Sequence, residues 1–175
     1  MKKICFFVVL LLGISTQAQN LTPSNYLDLT RKYTLNSITS FLQQRGYQLQ
    51  DKKQGNKGYP GYDVTDYAYG YNAIYNPYTD IWEFHNSSVY SYVRILWNNQ
   101  TNAIETMFIT TNAVSQLNTY RNLLPQWGYQ LWQTDTEIFA NGIAYKYFNN
   151  SLETNIWLEE NSNGFITIHF WKDKY

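Results

Sequence analysis

The chain of 175 residues has one cysteine, Cys5, and it lies inside an N-terminal apolar run. Once that run is removed, nothing remains to form a disulfide or a thiolate metal site, whatever the redox state of the compartment. Stability must then come from an ordinary hydrophobic core. Histidine is nearly as scarce: His85 and His169 stand alone, and neither belongs to an HExxH or His-x-His pattern that would supply a zinc site. Nucleophilic catalysis needs a Ser, Thr or Cys beside a base held by a third group, and no GxSxG or mature cysteine is present. GNKG at 55–58 reads as a turn rather than a phosphate loop opening a helix. The sequence therefore assigns no catalytic residue, no metal and no cofactor.

Charge is also sparse, with Asp, Glu, Lys and Arg making up 15% of the chain. Removing residues 1–18 takes away two of the 13 basic residues and none of the 13 acidic ones, which leaves a net charge of about −2. Nucleic-acid binding rests on clustered Lys and Arg, so this balance argues against it. It argues equally against a polybasic membrane patch.

What the N-terminus does have is Lys2 and Lys3, an apolar run over 4–14, and then STQAQ. These are the three regions of a secretory signal peptide. Eleven apolar residues fall short of the roughly 20 that span a bilayer as a helix, so removal is expected rather than anchoring. Cleavage is expected after Ala18, with Thr16 and Ala18 as the short side chains before it. The sequence thus predicts a signal peptide at 1–18, a periplasmic or extracellular location, and no transmembrane segment after removal. Residues 19–175 are of a length for one domain.

The mature chain also carries similar segments twice. FLQQRGYQLQ at 41–50 returns 82 residues later as LLPQWGYQLW at 123–132. Later landmarks return in order: Ala68 to Tyr71 with Ala144 to Tyr147, Ile81-Trp82 with Ile156-Trp157, and Trp97 with Trp171. The reading is two tandem units, about 22–98 and 103–175. Each opens with a helix: Leu35, Ile38, Phe41 and Leu42 share one face in the first, and Val114, Leu117, Tyr120 and Leu124 in the second. Thr34, or Thr22 before Pro23, is a start for the first; Thr111 and Asn112 precede the second. Gly46 and Gly128 stand where a left-handed cap is wanted, and Pro125 is expected to end its helix early.

After each glycine the period changes from 3.6 to 2. Strands are predicted at 47–51, 62–72, 80–85 and 90–98, then at 129–138, 143–149, 154–159 and 165–172, with a further strand at 103–111 joining the units. The predicted fold class is α+β: two helix-plus-four-strand repeats making a mainly antiparallel sheet of about nine strands, with two helices packed on one face. This layout resembles tandem-repeat inhibitor and immunity-type proteins, by architecture and without a shared motif, so no residue role carries over.

The stretch 58–78 holds seven tyrosines. Tyr67, Tyr69 and Tyr71 alternate with small or polar residues, which puts the rings on one side of a strand as packing; Tyr145 and Tyr147 repeat the device. Residues without a counterpart in the other unit are the better candidates for recognition: Lys53, Lys57 and Tyr59 in the loop 51–61, Tyr75 and Tyr78 around Pro77, and Trp127 and Trp132, which stand where the first unit has Arg45 and Gln50. Exposed tyrosine and tryptophan are amphipathic and lose little entropy on binding. A flexible hairpin loop plus two core rings is the plain alternative. Asp63 with Asp66, Glu83 with His85, and Glu159 with Glu160 could serve a carboxylate mechanism only if a fold placed them across a cleft. The expectation is a non-enzymatic, exported, inhibitor- or immunity-like binding protein with another protein as its partner. A carbohydrate-binding module is the first alternative, requiring coplanar exposed rings along a groove. An unrecognised hydrolase is the second, requiring a deep pocket with carboxylates or with His85.

Overall fold

The computed structural model describes residues 21–31, 34–55, 63–84, 89–137, 142–162 and 164–172. Both threonine starts are used, so the described chain has three α-helices rather than two. Thr22 caps α1 (Pro23–Thr30), its hydroxyl accepting from the Asn25 amide while the Asn25 side chain accepts from the Thr22 amide, a reciprocal capping box. Thr34 caps α2 (Leu35–Gln43) by accepting from the Ser37 amide. A 3-10 turn over Val114–Gln116 leads into α3 (Leu117–Gln126).

Gly46 and Gly128 close α2 and α3 in the left-handed region, at φ 83° and 85°. The two ends match: Tyr47 N–H bonds the Leu42 carbonyl and Tyr129 N–H bonds the Leu124 carbonyl, at 3.1 and 3.0 Å. The expectation that Pro125 would shorten its helix is corrected, because α3 runs through it to Gln126. A proline in the last turn loses only its own N–H, while its carbonyl still receives the Gly128 amide.

The strands are β1 (Gln48–Gln54), β2 (Val64–Tyr71), β3 (Ala73–Asn76), β4 (Ile81–Phe84), β5 (Ser91–Asn98), β6 (Ala103–Thr111), β7 (Gln130–Glu137), β8 (Gly142–Asn149), β9 (Thr154–Asn161) and β10 (Phe165–Lys172). Eight form one antiparallel sheet in the order β1-β2-β5-β6-β10-β9-β8-β7, and β3 with β4 form a separate hairpin. The single sheet of about nine strands is therefore corrected to eight plus two. The segment at 80–85 is predicted for the main sheet; its described part, β4, pairs instead with β3, for which the sequence predicts no strand. The strand at 103–111 is no connector: β6 lies at the centre, paired with both β5 and β10.

The register runs straight across the sheet. One row reads Leu49, Tyr69, Val93, Ile109, Ile168, Leu158, Tyr145, Thr134; the next reads Lys52, Tyr67, Ile95, Met107, Phe170, Ile156, Tyr147, Leu131. Between the edge leucines Leu49 and Leu131, which are exposed, the apolar members of these rows join Ile38, Leu42, Leu117, Tyr120 and Leu124 of the helices, with Tyr26 and Leu27 of α1, in one cluster, with Tyr145 partly buried against it. Both edge strands carry an irregularity at corresponding points, between Leu49 and Asp51 and between Leu131 and Gln133. Such bulges discourage edge-to-edge pairing.

Two sequence landmarks do not correspond in space. Ile156-Trp157 lies in β9 of the main sheet, whereas Ile81-Trp82 lies in the hairpin; Trp97 lies in β5, but Trp171 lies in β10. The register pairs Tyr69 with Leu49 but Tyr147, not Tyr145, with Leu131, so the lettered alignment of the two Ala-Tyr-x-Tyr segments does not hold in the sheet. Trp and Tyr recur so often in this chain that a shared letter does not fix a shared strand position.

Candidate functional site

On strand β2 the tyrosines are packing. Tyr67 and Tyr69 are buried, and Tyr71 is partly buried against the same cluster. The opposite side of β2 is buried as well, which alternation alone did not predict. The hairpin β3–β4 folds back over it. Trp82 stacks on Tyr92 at 4.5 Å with planes 10° apart, and Phe84 lies 4.1 Å from Tyr90. Gly70 makes room for this: a Cβ there would stand 2.0 Å from the Ala73 carbonyl oxygen. Arg94 donates to both oxygens of the buried Asp66 at 2.7–3.1 Å and reaches Asp80 on the hairpin at 3.4 Å. The Asp66 hydrogen bonds hold the guanidinium charged still more firmly.

Tyr75 was expected on a recognition surface and is instead 5% exposed. Its ring lies 5.1 Å from Trp82 and its hydroxyl donates to Asp80, both within the hairpin, while Lys53 and Arg94 of the sheet lie 5.4 and 5.9 Å from the ring, so it offers no face to a partner. Tyr78, at the hairpin tip, is 96% exposed. Lys53 is exposed on β1, pairs with Asp51 at 3.3 Å, and donates to the Pro77 carbonyl at 3.3 Å. Trp127 is the C-terminal cap residue of α3, partly buried, with the Arg31 guanidinium 3.8 Å from its ring. Trp132 is 57% exposed on β7. Lys57 and Tyr59 lie outside the described residues. The candidates do not form one patch, because β1 and β7 are opposite edges of the sheet, about 34 Å apart at strand spacing.

The sequence reading missed two exposed residues beside Tyr78. Ile74 (43%) and Ile81 (59%) are diagonal neighbours on the outer side of the hairpin, whose inner side is Tyr75 and Trp82. A signal existed in the alternation AIYN and IWEF, apolar on both sides of a strand, but it becomes meaningful only once the inner side is known to be covered.

The face opposite the buried cluster carries a row Arg94, Phe108, His169, Trp157, Lys146 across five strands. His169 meets the Phe108 ring edge-on at 4.6 Å, and burial lowers its pKa to about 4, so it is neutral near pH 7. Lys146 caps the Trp157 ring at 4.4 Å and bonds Asp135 at 2.7 Å. That bond, followed by one from Gln133, lowers the Asp135 pKa. Trp157 and Trp171 meet at 85°, so these two rings do not make the coplanar platform a pyranose stacks on.

Catalytic geometry is not assembled by the carboxylates that can be placed. Asp66 is committed to Arg94, exposed Asp63 accepts from the Asn99 side chain at 2.8 Å, and Glu159 and Glu160 are adjacent in β9 and so point to opposite faces. His85 lies outside the described residues. A cleft of about 520 Å³ between α3 and the β7 edge is lined by Asn118, Arg121, Asn122, Pro125, Leu131 and Tyr147, with no carboxylate among them. Among the described residues no group of three or more His, Cys, Asp or Glu could hold a metal ion, and no helix is long and apolar enough to cross a membrane.

The fold and surface together define an α+β protein built on a large antiparallel sheet, with an accessory hairpin that exposes apolar side chains. No protein-family model, curated protein or solved structure matches the chain.

Proposed function

We propose that the mature chain, residues 19–175, is an exported, non-enzymatic binding protein that docks another protein on the outer side and tip of hairpin β3–β4. One observation carries this reading. Ile74, Tyr78 and Ile81 are exposed together on a hairpin whose inner side is locked to the sheet by the Trp82–Tyr92 stack and the Arg94–Asp80 bond. Apolar side chains on a pre-ordered element lose little entropy on binding, which suits them as anchors. The signal-peptide pattern at 1–18 supports export.

A duplicated helix-plus-four-strand unit, with both helices on one sheet face, is the architecture we infer for this binder. Support comes from matches under exchange of the halves: Tyr47 N–H to the Leu42 carbonyl with Tyr129 N–H to the Leu124 carbonyl, and the edge-strand irregularities at Leu49/Asp51 and Leu131/Gln133. The exchange carries β1, β2, β5 and β6 onto β7, β8, β9 and β10. Under it the hairpin has no counterpart, since β8 and β9 are joined by residues 150–153 alone. An element present in only one half is free of the scaffold role the halves share.

The test is affinity capture by mature protein from envelope and culture-medium fractions, beside a variant carrying Ile74→Ser, Tyr78→Ser and Ile81→Ser. All three sites are on the outside, so circular dichroism of the variant should match. A protein retained by the first and weakened at least ~100-fold by the second is expected. Equal retention by both would overturn the assignment of this surface.

A further inference from the structure

We propose that the cleft between α3 and β7 binds a small organic carboxylate, with the Arg121 guanidinium reading the anion. Asn118, Arg121, Asn122 and Pro125 fall at i, i+3, i+4 and i+7 of α3, so one helical stripe makes one wall of the cleft. Leu131 on the β7 edge is the opposing apolar wall, 49% exposed, and Tyr147 of β8 forms the floor. At about 520 Å³ the space suits a ligand of sugar or amino-acid size.

Comparison of the two halves shows what is special here. Tyr69 and Tyr147 hold the same register position, each opposite a leucine of its edge strand. In the first half Thr39 of α2 closes over Tyr69, hydroxyl to hydroxyl at 2.8 Å. In the second half Arg121 stands above the tyrosines, 4.4 Å from the Tyr145 ring, and its charge offsets part of the upward shift that burial imposes on Tyr147. Arg121 makes no ion pair with a described carboxylate. Its sequence neighbourhood offers none either, since residues 106–134 contain no Asp or Glu.

The chemistry of the lining selects the ligand class. A guanidinium presents a planar fork that matches the two oxygens of a carboxylate. The Asn118 and Asn122 amides can donate to the remaining lone pairs, and Leu131 with Pro125 gives the organic body an apolar wall. One cation balances one carboxylate charge; a phosphate dianion would leave a charge uncompensated. The carboxylate could belong to a free acid or to an acidic sugar.

The experiment is an NMR titration of mature protein with sodium glucuronate, acetate and uncharged glucose at constant ionic strength, following the Asn118 and Asn122 side-chain amides and Arg121 Nε–H. Glucuronate is expected to shift these signals with a Kd of roughly 1 mM, acetate more weakly, and glucose not at all. A matching response to acetate and glucuronate would assign the site to free acids, and a much stronger one to glucuronate would assign it to acidic sugars. Arg121→Gln should weaken binding at least ~10-fold, with Arg121→Lys in between. Arg121 is exposed, so both variants should keep the wild-type backbone spectrum. Shifts equal for glucose and glucuronate, or unchanged in Arg121→Gln, would overturn the proposal.

Discussion

Replacing Tyr120 with phenylalanine should stabilise this protein, whereas the same change at Tyr129 should destabilise it. Tyr120 is 1% exposed, stacked on Tyr26 at 5.6 Å, and its hydroxyl has no hydrogen-bond partner among the described residues. An unsatisfied buried hydroxyl costs about 1–3 kcal/mol relative to a satisfied one, and its removal leaves a void smaller than a methyl group. A net gain of about 1 kcal/mol is expected. Tyr129 is equally buried, but its hydroxyl exchanges a 3.0 Å hydrogen bond with Thr154, itself 3% exposed. Tyr129→Phe removes that bond and strands the threonine, for a loss of about 1–2 kcal/mol. The assay is urea unfolding of residues 19–175 followed by tryptophan fluorescence, with the slope of free energy against urea checked to be unchanged. In a domain of this size 1 kcal/mol also moves Tm by about 2–4 °C. If Tyr120→Phe proved as destabilising as Tyr129→Phe, the reasoning that ties the sign to hydrogen-bond satisfaction would fail.

Two other outcomes are expected. Gly70→Ala should cost about 2 kcal/mol and loosen the hairpin, since its Cβ would meet the Ala73 carbonyl oxygen at 2.0 Å and the Trp82 ring at 3.1 Å. Near-ultraviolet circular dichroism reads the Trp82–Tyr92 stack, and an unchanged spectrum at unchanged stability would contradict the packing. Burial lowers the His169 pKa from 6.5 to about 4, so between those values the unfolded chain takes up a proton that the folded chain refuses. Stability should therefore fall as pH drops through that window, by up to about 1.4 kcal/mol per pH unit, with no contribution above it. His169→Phe should flatten this part of the profile; an unaltered slope would show that other groups set it.

Local signals carried far. The threonines before Pro23 and Leu35, the glycines at 46 and 128, and the alternation along β2, β5 and β10 all report on hydrogen bonds and side-chain directions within a few residues. They placed the starts of α1 and α2, the glycine caps and most strand segments, whereas α3 starts at Leu117 without a side-chain cap and not at Thr111 or Asn112. The tyrosine alternation at 67, 69 and 71 likewise pointed to packing, and those rings do pack against the core. The recognition candidates fared unevenly for the same physical reason. Tyr75 and Tyr78 are three residues apart and chemically alike, yet one is buried under Trp82 and the other projects from the tip.

By itself the sequence determined the composition of the core, the threonine starts of α1 and α2, the glycine caps of α2 and α3, and the period-2 segments that become strands. Each is a property of a residue and its near neighbours. Tertiary structure alone decided that β6 is central, that β3 and β4 leave the main sheet to cover Gly70 and Tyr92, and that Ile74, Tyr78 and Ile81 remain outside. It also decided that Arg121 lines a cleft beside Tyr147 while the Thr39 hydroxyl bonds that of Tyr69. These outcomes depend on pairing between strands far apart in the chain, and a strand carries no local mark of which partner it will take or which of its sides a distant hairpin will cover.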